Sequence, residues 1–599
     1  MINLKKPTGL EIFLFLIVSS LLLYGNAANG PFVWDDRFLI TDNRYITSFL
    51  YLKDAFTHQL YFATSGVSNF YRPLQTFLLT VDFSFWAYNP LGYHLTSIFF
   101  HTLCAYLAYS IIFLLFSNVP TALMASFLFL IHPINNIVVN YISSRADSQA
   151  AYFMLLSLLL FFKHIPFQVA QQRKAKQPEP RGILYAGSLA SFMLALCSKE
   201  LGMIFPFFLL FTVLVFYQAN SKTALRKTVP FFIVLAAYIL LRRTVLNFAS
   251  ETGFVQPLSI RLLTTAESFT RLIGLLFAPF KIHAEKSVPL AVSLLEPRTF
   301  ISVGVMASLI AAMVLARKVS KMCFFGLGWF FIFLIPVANI MPINSTMADH
   351  WMYLPSIGFY LAFIGGVGEV IKRLSPLWGR IVKIFAIVFG CSAVVMFVFL
   401  TVRLNRIWND PVVFHQYVSK MLPKAFRPHN ELGIIYLDRQ MPDAAILELN
   451  KAIELKPGFD QAYANLGNAY LMKGDSMRAL ILREIADKKK PALQQAQEMK
   501  SYYETAILLN RRAIELTPEN PKAYNNLGNA YLKLRRLDEA AAAYNKALSL
   551  NSQSAGVYNN LGIVYIRSGD SLAARKAWER ALEIDPGFKM ARDNLSSLR

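Results

Sequence analysis

Acidic charge is scarce in this chain. Asp and Glu supply 36 of 599 residues against 59 Lys and Arg, and the four types together reach only 16%. With 55% hydrophobic residues, that scarcity excludes an ordinary soluble protein, while the length leaves room for several domains. Cysteine is nearly absent. Cys104, Cys197, Cys323 and Cys391 all lie in or beside apolar runs, so no disulfide framework is implied and they read as packing residues. No Gly-rich phosphate loop ending in Lys-Ser or Lys-Thr occurs, which argues against an ATP-driven pump. A Gly-x-Ser-x-Gly elbow is missing, and with it the serine hydrolases that use one. His132, His283 and His350 are too far apart for the tight spacing of a zinc site.

What is abundant is apolar sequence, in runs separated by short basic loops. A bilayer-spanning helix needs about 20 mostly apolar residues. On that rule eleven spans are predicted: 8–26, 92–116, 118–134, 148–164, 182–198, 201–218, 229–246, 300–316, 322–341, 352–371 and 381–401. Leu262 to Phe280 reads as an interfacial or re-entrant helix in a long loop. The Leu10–Leu23 run looks like a signal peptide but lacks a clean small-residue cleavage site, so an uncleaved first span is expected. The net charge of +23 suggests nucleic acid until its placement is considered. Much of it sits in Arg173–Lys176, Lys222–Lys227, Arg317–Lys321 and Lys372–Arg380, loops that all fall inside if Lys5 and Lys6 are cytoplasmic. That is the positive-inside pattern; it implies no nucleic-acid partner and puts everything after Thr401 outside.

The opposite face collects the polar clusters. They are Asp35-Asp36, Tyr71-Arg72-Pro73, His132-Pro133, Ser144-Arg145-Ala146-Asp147, Lys199-Glu200, His283 to Lys286, and Asp349-His350. Charge at a helix end in a membrane is costly unless paired, wet or functional, so clusters gathered on one face point to a shared site. The Asp pair, set between Trp34 and Phe38, can act as a general base, as a cation ligand, or as solvated loop charge. A lipid-linked sugar donor carries a phosphate at the bilayer surface, which cations at helix ends can bind. Arg72, Arg145, Lys199, His283 and Lys286 are the candidates for that phosphate, and Asp35 or Asp36 for the base that takes a proton from an acceptor hydroxyl. His132, Asp147, Glu200, Asp349 and His350 would support them. Direct displacement with inversion needs only one carboxylate, because phosphate leaves without a general acid. No cofactor is required, although adjacent Asp residues leave a divalent cation open.

Beyond residue 424 the composition turns charged and rich in Ala and Asn. Leu-Gly recurs at Leu432-Gly433, Leu466-Gly467, Leu527-Gly528 and Leu561-Gly562, at spacings of 34, 61 and 34 residues. A 34-residue period with small residues at fixed offsets is the tetratricopeptide signature. The spacing of 61 reads as one full repeat and a shortened one over 492–518, giving about five units with one degenerate. Asn465, Asn468, Asn525, Asn529 and Asn559 are expected to line a concave groove and pair with the backbone of an extended peptide. Lys488-Lys489-Lys490 reads as a solvated face. The predicted fold is therefore all-α: a polytopic membrane bundle over 1–401, a linker over 402–423, and a tetratricopeptide α-solenoid over 424–599.

The membrane part resembles the integral-membrane glycosyltransferases of the C superfamily. The whole chain is similar to transmembrane, tetratricopeptide-repeat protein O-mannosyltransferases. The segments that carry the resemblance run in order: Phe32-Val33-Trp34-Asp35-Asp36, Tyr71-Arg72-Pro73-Leu74, Asn89 to Leu95, His132-Pro133, Ser144 to Asp147, Lys199 to Gly202, Pro336 to Ile340 and Tyr353 to Ser356. The resemblance implies a polyprenyl-phosphate hexose donor, mannose foremost, a Ser or Thr hydroxyl on a protein as acceptor, and Asp35 as the favoured base. One departure stands out: where the family carries an acidic residue followed by Arg, this chain has Asp349-His350. Compact loops favour a bacterial inner membrane with periplasmic repeats; an endoplasmic reticulum membrane with lumenal repeats has the same topology. The rival readings are a membrane-anchored repeat scaffold, a transferase acting on lipid or polysaccharide, and a transporter.

Overall fold

The computed structural model describes residues 7–60, 70–164, 182–216, 221–244, 256–282, 288–343, 345–487 and 493–598, with side chains from 226 in the 221–244 segment. The chain divides into two compact units, Met1–Asp410 and Pro411–Arg599.

In the first unit a helix stands at each of the eleven expected spans. Among the described residues, five are long and apolar enough to cross a membrane on length and composition: Gly9–Ala27, Pro90–Phe116, Pro297–Val319, Asp349–Arg373 and Pro376–Trp408. Val119–Ile131 and Pro133–Asn140 make a sixth if the 52° bend between them is counted within one span. The bend has a local cause: Pro133 lacks the amide that would continue the helix. Gly182–Ser198, Glu200–Phe216 and Lys321–Val337 are shorter apolar helices.

Local chemistry sets the ends. Thr8 and Glu11 form a reciprocal cap on the first helix, the Thr8 amide donating to Glu11 Oε2 at 2.7 Å and the Glu11 amide to Thr8 Oγ1 at 3.2 Å. Small residues allow a close helix crossing: a Cβ on Gly326 would press on the Gly358 carbonyl, and one on Gly358 on the Gly326 carbonyl. The ambiguous stretch is a helix over Leu258–Phe277, whose buried Glu267 accepts from Thr299 Oγ1 at 2.7 Å on the Pro297–Val319 helix. Pro73–Trp86, expected as loop, is also a helix, with Gln75, Thr76 and Asp82 buried. The last helix of this unit runs unbroken from Pro376 to Trp408, past its expected end at 401. The Pro411–Met421 helix lies in the second unit, so the expected 402–423 linker is helical with the division at 410.

The second unit is a stack of helix pairs: Arg427–Asp438 with Pro442–Leu455, Asp460–Ala486 with Leu493–Leu516, Pro521–Lys533 with Leu537–Leu550, and Ala555–Arg567 with Ser571–Ile584. Lys589–Ser596 follows the last pair and buries Ala591 against it. This corrects the repeat count. Among the described residues there are four pairs, and the extra residues between Gly467 and Gly528 lengthen the second pair to helices of 27 and 24 residues. Ala506, Ala513 and Pro518 close that long pair instead of marking a separate unit. Each Leu-Gly glycine meets its partner helix: a Cβ on Gly433, Gly467, Gly528 or Gly562 would collide with Leu449, Asn510, Tyr544 or Trp578.

Candidate functional site

The first loop is pinned from below by Asp36. This carboxylate is fully buried and accepts from the Ser143 amide at 2.7 Å, Ser143 Oγ at 2.6 Å and the Val33 amide at 3.3 Å. Burial pushes its pKa up to about 7, with the Ser143 and Val33 donors opposing. Asp35 is half-buried, and its amide donates to Tyr141 Oη at 3.2 Å. Between Val33 and the pair, Trp34 takes φ of +49°, a conformation that L side chains seldom hold without support. The support is aromatic: Trp34 meets Tyr141 and Trp408 edge-on at 5.7 and 6.1 Å, and Tyr141 lies nearly parallel to Trp408 at 6.0 Å.

Trp408 is held by an amide cluster one turn below it. Asn405 Oδ1 accepts from Asn136 at 2.6 Å and Asn140 at 2.9 Å, while its Nδ2 donates to Asn26 Oδ1 at 2.7 Å and the Leu23 carbonyl at 2.9 Å. The last helix of the unit is thereby tied to the first one and to the segment that carries Tyr141.

Among the described residues, the expected cations Arg72, Arg145 and Lys199 are each matched with a carboxylate. Arg72 grips Glu200 through Nε at 3.1 Å and Nη2 at 3.0 Å, and the Tyr71 amide donates to the other Glu200 oxygen at 3.2 Å. Lys199 Nζ lies 2.7 Å from both Asp147 oxygens; burial pulls the amine below its ordinary range, and the Asp147 charge opposes this. Arg145 is fully buried, with Nη1 2.5 Å from Asp82. That makes it a strut inside the bundle, not a cation open to a donor. His350 sits within electrostatic reach of Asp147, Lys199 and Arg72, and Asp349 is buried beside it. Gln75 donates to the Ser143 carbonyl at 2.9 Å, linking the Arg72 segment to the Asp36 anchor. The Asp35, Arg72, Lys199 and His350 clusters are thus parts of one connected assembly.

Two expectations change character. His132 Nδ1 accepts from the Ile134 amide at 3.0 Å and Nε2 donates to the Leu276 carbonyl at 3.2 Å, so the ring is a clip between segments. Among the described residues no three His, Cys, Asp or Glu side chains gather where a metal ion could sit, and the Asp36 oxygens already serve protein donors. His283 and Lys286 lie outside the described residues, as do Lys488 to Lys490.

In the repeats, Asn465 donates to Asn430 at 2.9 Å and accepts from Lys522 at 2.8 Å. Asn529 accepts from Asn560 at 3.0 Å, and Asn559 from Asn594 at 3.0 Å. These three stitch neighbouring first helices together; Asn468 and Asn525 remain half-buried on the same helices.

Sequence reasoning missed Asp82, Ser143, Tyr141 and Trp408, and also Tyr238 and Arg242, which interact electrostatically with Glu200 and each other. Two signals existed. Asp82 is a lone acid in an apolar stretch, which demands a partner. Arg242-Arg243 sits at the outer end of its expected span, against the rule that basic residues stay inside.

The models of the tetratricopeptide repeat match residues 521–554 and 555–588, and that of the TPR repeat matches 433–474 and 501–534. The protein O-mannosyl-transferase F38B6.6 of Caenorhabditis elegans is 24% identical over 76% of this chain, and the protein O-mannosyl-transferase TMTC3 of Mus musculus 23% identical over 91%. Over a shorter stretch, 24% of this chain and 18% of the relative, the protein O-mannosyl-transferase tmtc2 of Xenopus laevis is 32% identical. The chain spans 64% of the length of each of the first two, less than two thirds of the relatives it matches. The crystal structure of MamA aligns at 26% identity with a TM-score of 0.23, over 30% of this chain and 89% of that one. In its ordered membrane motifs and its repeat array, the chain is similar to membrane proteins with tetratricopeptide repeats that are named protein O-mannosyl-transferases.

Proposed function

We propose that the protein is a membrane glycosyltransferase whose repeat unit recruits the acceptor. One observation carries the mechanism: the acidic pair is split into a buried anchor, Asp36, and a half-buried carboxylate, Asp35, on a strained turn. Asp35 takes the proton from an acceptor Ser or Thr hydroxyl as its oxygen attacks the anomeric carbon. The bond to the phosphate oxygen breaks, the configuration inverts, and polyprenyl phosphate leaves. Arg72 and Lys199, held by Glu200 and Asp147 and only partly buried, face the charge that develops on that phosphate. Mannose is the favoured sugar, in keeping with the names of the relatives. Those relatives are animal proteins, which weighs toward an endoplasmic reticulum membrane over the bacterial one.

A second reading, a repeat scaffold or a transferase acting on lipid or polysaccharide, is favoured by the charge balance. Arg145 is buried on Asp82, and Arg72 and Lys199 each already hold a carboxylate, so a donor phosphate must compete for those two. The deciding experiment supplies the protein in lipid nanodiscs with polyprenyl-phosphate mannose and a Ser/Thr-rich peptide. Release of polyprenyl phosphate with mannose on the peptide, lost in Asp35→Asn, is expected. Release without peptide labelling points to another acceptor; no release from any polyprenyl-phosphate hexose leaves the scaffold.

A further inference from the structure

The three helices Pro297–Val319, Lys321–Leu334 and Tyr353–Arg373 leave a groove of about 490 Å³ between them. That volume lies within the usual range for a small-molecule site, which is mostly apolar with a few placed polar groups. Its floor is small and its walls are apolar: Ala312, Ala316, Ala362 and Gly366 beside Leu309 and Leu327. At the inner end Phe277 closes it, edge-on to Phe359 at 5.2 Å. At the other end the lining turns polar, with Ser320, Glu369 and Arg373.

Positive charge predominates at that end. Arg317 and Lys318 occupy the last turn of one wall, Lys372 and Arg373 the last turn of another, and all four are exposed. Glu369 is offset by Lys372, 2.9 Å away. Helix C-termini themselves favour cations there but leave the added positive charge in want of an anion. The Tyr353–Arg373 helix has 21 residues, so at 1.5 Å per residue the basic rim lies about 30 Å from the Lys199 and His350 cluster at its other end. The groove is therefore separate from the proposed donor site, and on the orientation set by the basic loops it opens at the cytoplasmic leaflet.

We propose that this groove binds an anionic phospholipid of the cytoplasmic leaflet. One hydrocarbon chain lies along the alanine and glycine floor toward Phe277, and the phosphate sits among Arg317, Lys318 and Arg373. Basic pockets between membrane helices on that side bind lipid headgroups by the same physics.

The test uses the full-length protein, equilibrated in vesicles of phosphatidylcholine and phosphatidylglycerol, re-extracted in mild detergent, with the retained phospholipid quantified. Wild type should retain phosphatidylglycerol several-fold above its share of the vesicle. Gly366→Leu fills the floor from one helix, where a Cβ meets only Cys323 Sγ at 3.8 Å, and should abolish retention. Ala312→Trp fills it from an exposed position on a second helix and should do the same, which keeps the test open if one variant fails to fold. Arg373→Ser with Arg317→Ser should keep a bound lipid but lose the preference for the anionic one. Retention in the proportion supplied, or undiminished phosphatidylglycerol in a folded Gly366→Leu or Ala312→Trp protein, would overturn the proposal.

Discussion

Two adjacent aspartates with the same side chain sit in different surroundings, and that difference is measurable. Asp36→Ala leaves the Ser143 amide and hydroxyl buried without their acceptor, at about 1–3 kcal/mol for each such group. Asp35→Asn leaves the hydrogen bonds of the Asp36 anchor in place. The expected outcome is a fall of several degrees in thermal midpoint for Asp36→Ala and little change for Asp35→Asn, while mannose transfer falls at least a hundredfold in the latter. Equal midpoints in the two variants would contradict the division of roles. The anchor also titrates. Folding raises the Asp36 pKa from 3.8 to about 7, so between those values the folded protein holds more protons than the unfolded one. Stability must then fall as pH rises through that window and level off above it. Asp36→Asn can keep its oxygen toward both Ser143 donors while losing the titration. Thermal midpoints taken from pH 4 to pH 8 should show a shallower decline in Asp36→Asn than in wild type.

At the scale of elements, helices were legible where apolar length or small-residue periodicity wrote them, and illegible where partners decide. The Tyr353–Arg373 span and the Leu-Gly helices declare themselves by composition alone. The Pro73–Trp86 helix does not, because its reason for being helical is the burial of Gln75 and Asp82 against Ser143 and Arg145, residues 60 to 70 positions away. Arg145 was misread as open for the same reason: charge is visible in sequence, its partner is not. The spacing of 61 is silent on whether the added residues build a further repeat or lengthen the two helices of one. Glycine at the crossing is the stronger mark, and it yields a test. Gly562→Ala forces a methyl into Trp578, whose indole donates to the Asn559 carbonyl at 3.1 Å in the same pair. Overpacking of this kind costs about 1–3 kcal/mol. A lower chemical-denaturation midpoint of the isolated 411–599 segment, with Trp578 fluorescence shifted to the red, is expected. Gly556→Ala, on the same helix with open space around it, is the control that should leave both readings unchanged.

For the whole molecule, the proposed function assigns chemistry and recruitment to opposite sides of the division at 410. Asp35, Arg72, Lys199 and His350 all belong to Met1–Asp410, and the asparagine stitching of the repeats belongs to Pro411–Arg599. The Trp408 contact that steadies the Asp35 turn lies just before the division, so a truncation after Asp410 keeps it. If the repeats recruit a protein acceptor, that truncated chain should still release polyprenyl phosphate slowly to water or a short peptide. Its KM for a long Ser/Thr-rich peptide should rise at least tenfold, because a second binding site on one chain raises the effective concentration of the acceptor at the first. A truncation two turns earlier, after Thr401, removes Asn405 and Trp408 together and should lower donor turnover itself. If the shorter truncation instead leaves transfer to the long peptide untouched, the repeats serve something other than the acceptor, and the weight moves to lipid or polysaccharide as the substrate. If both truncations behave alike, the aromatic support of Trp34 is dispensable and the turn is held by Asp36 alone.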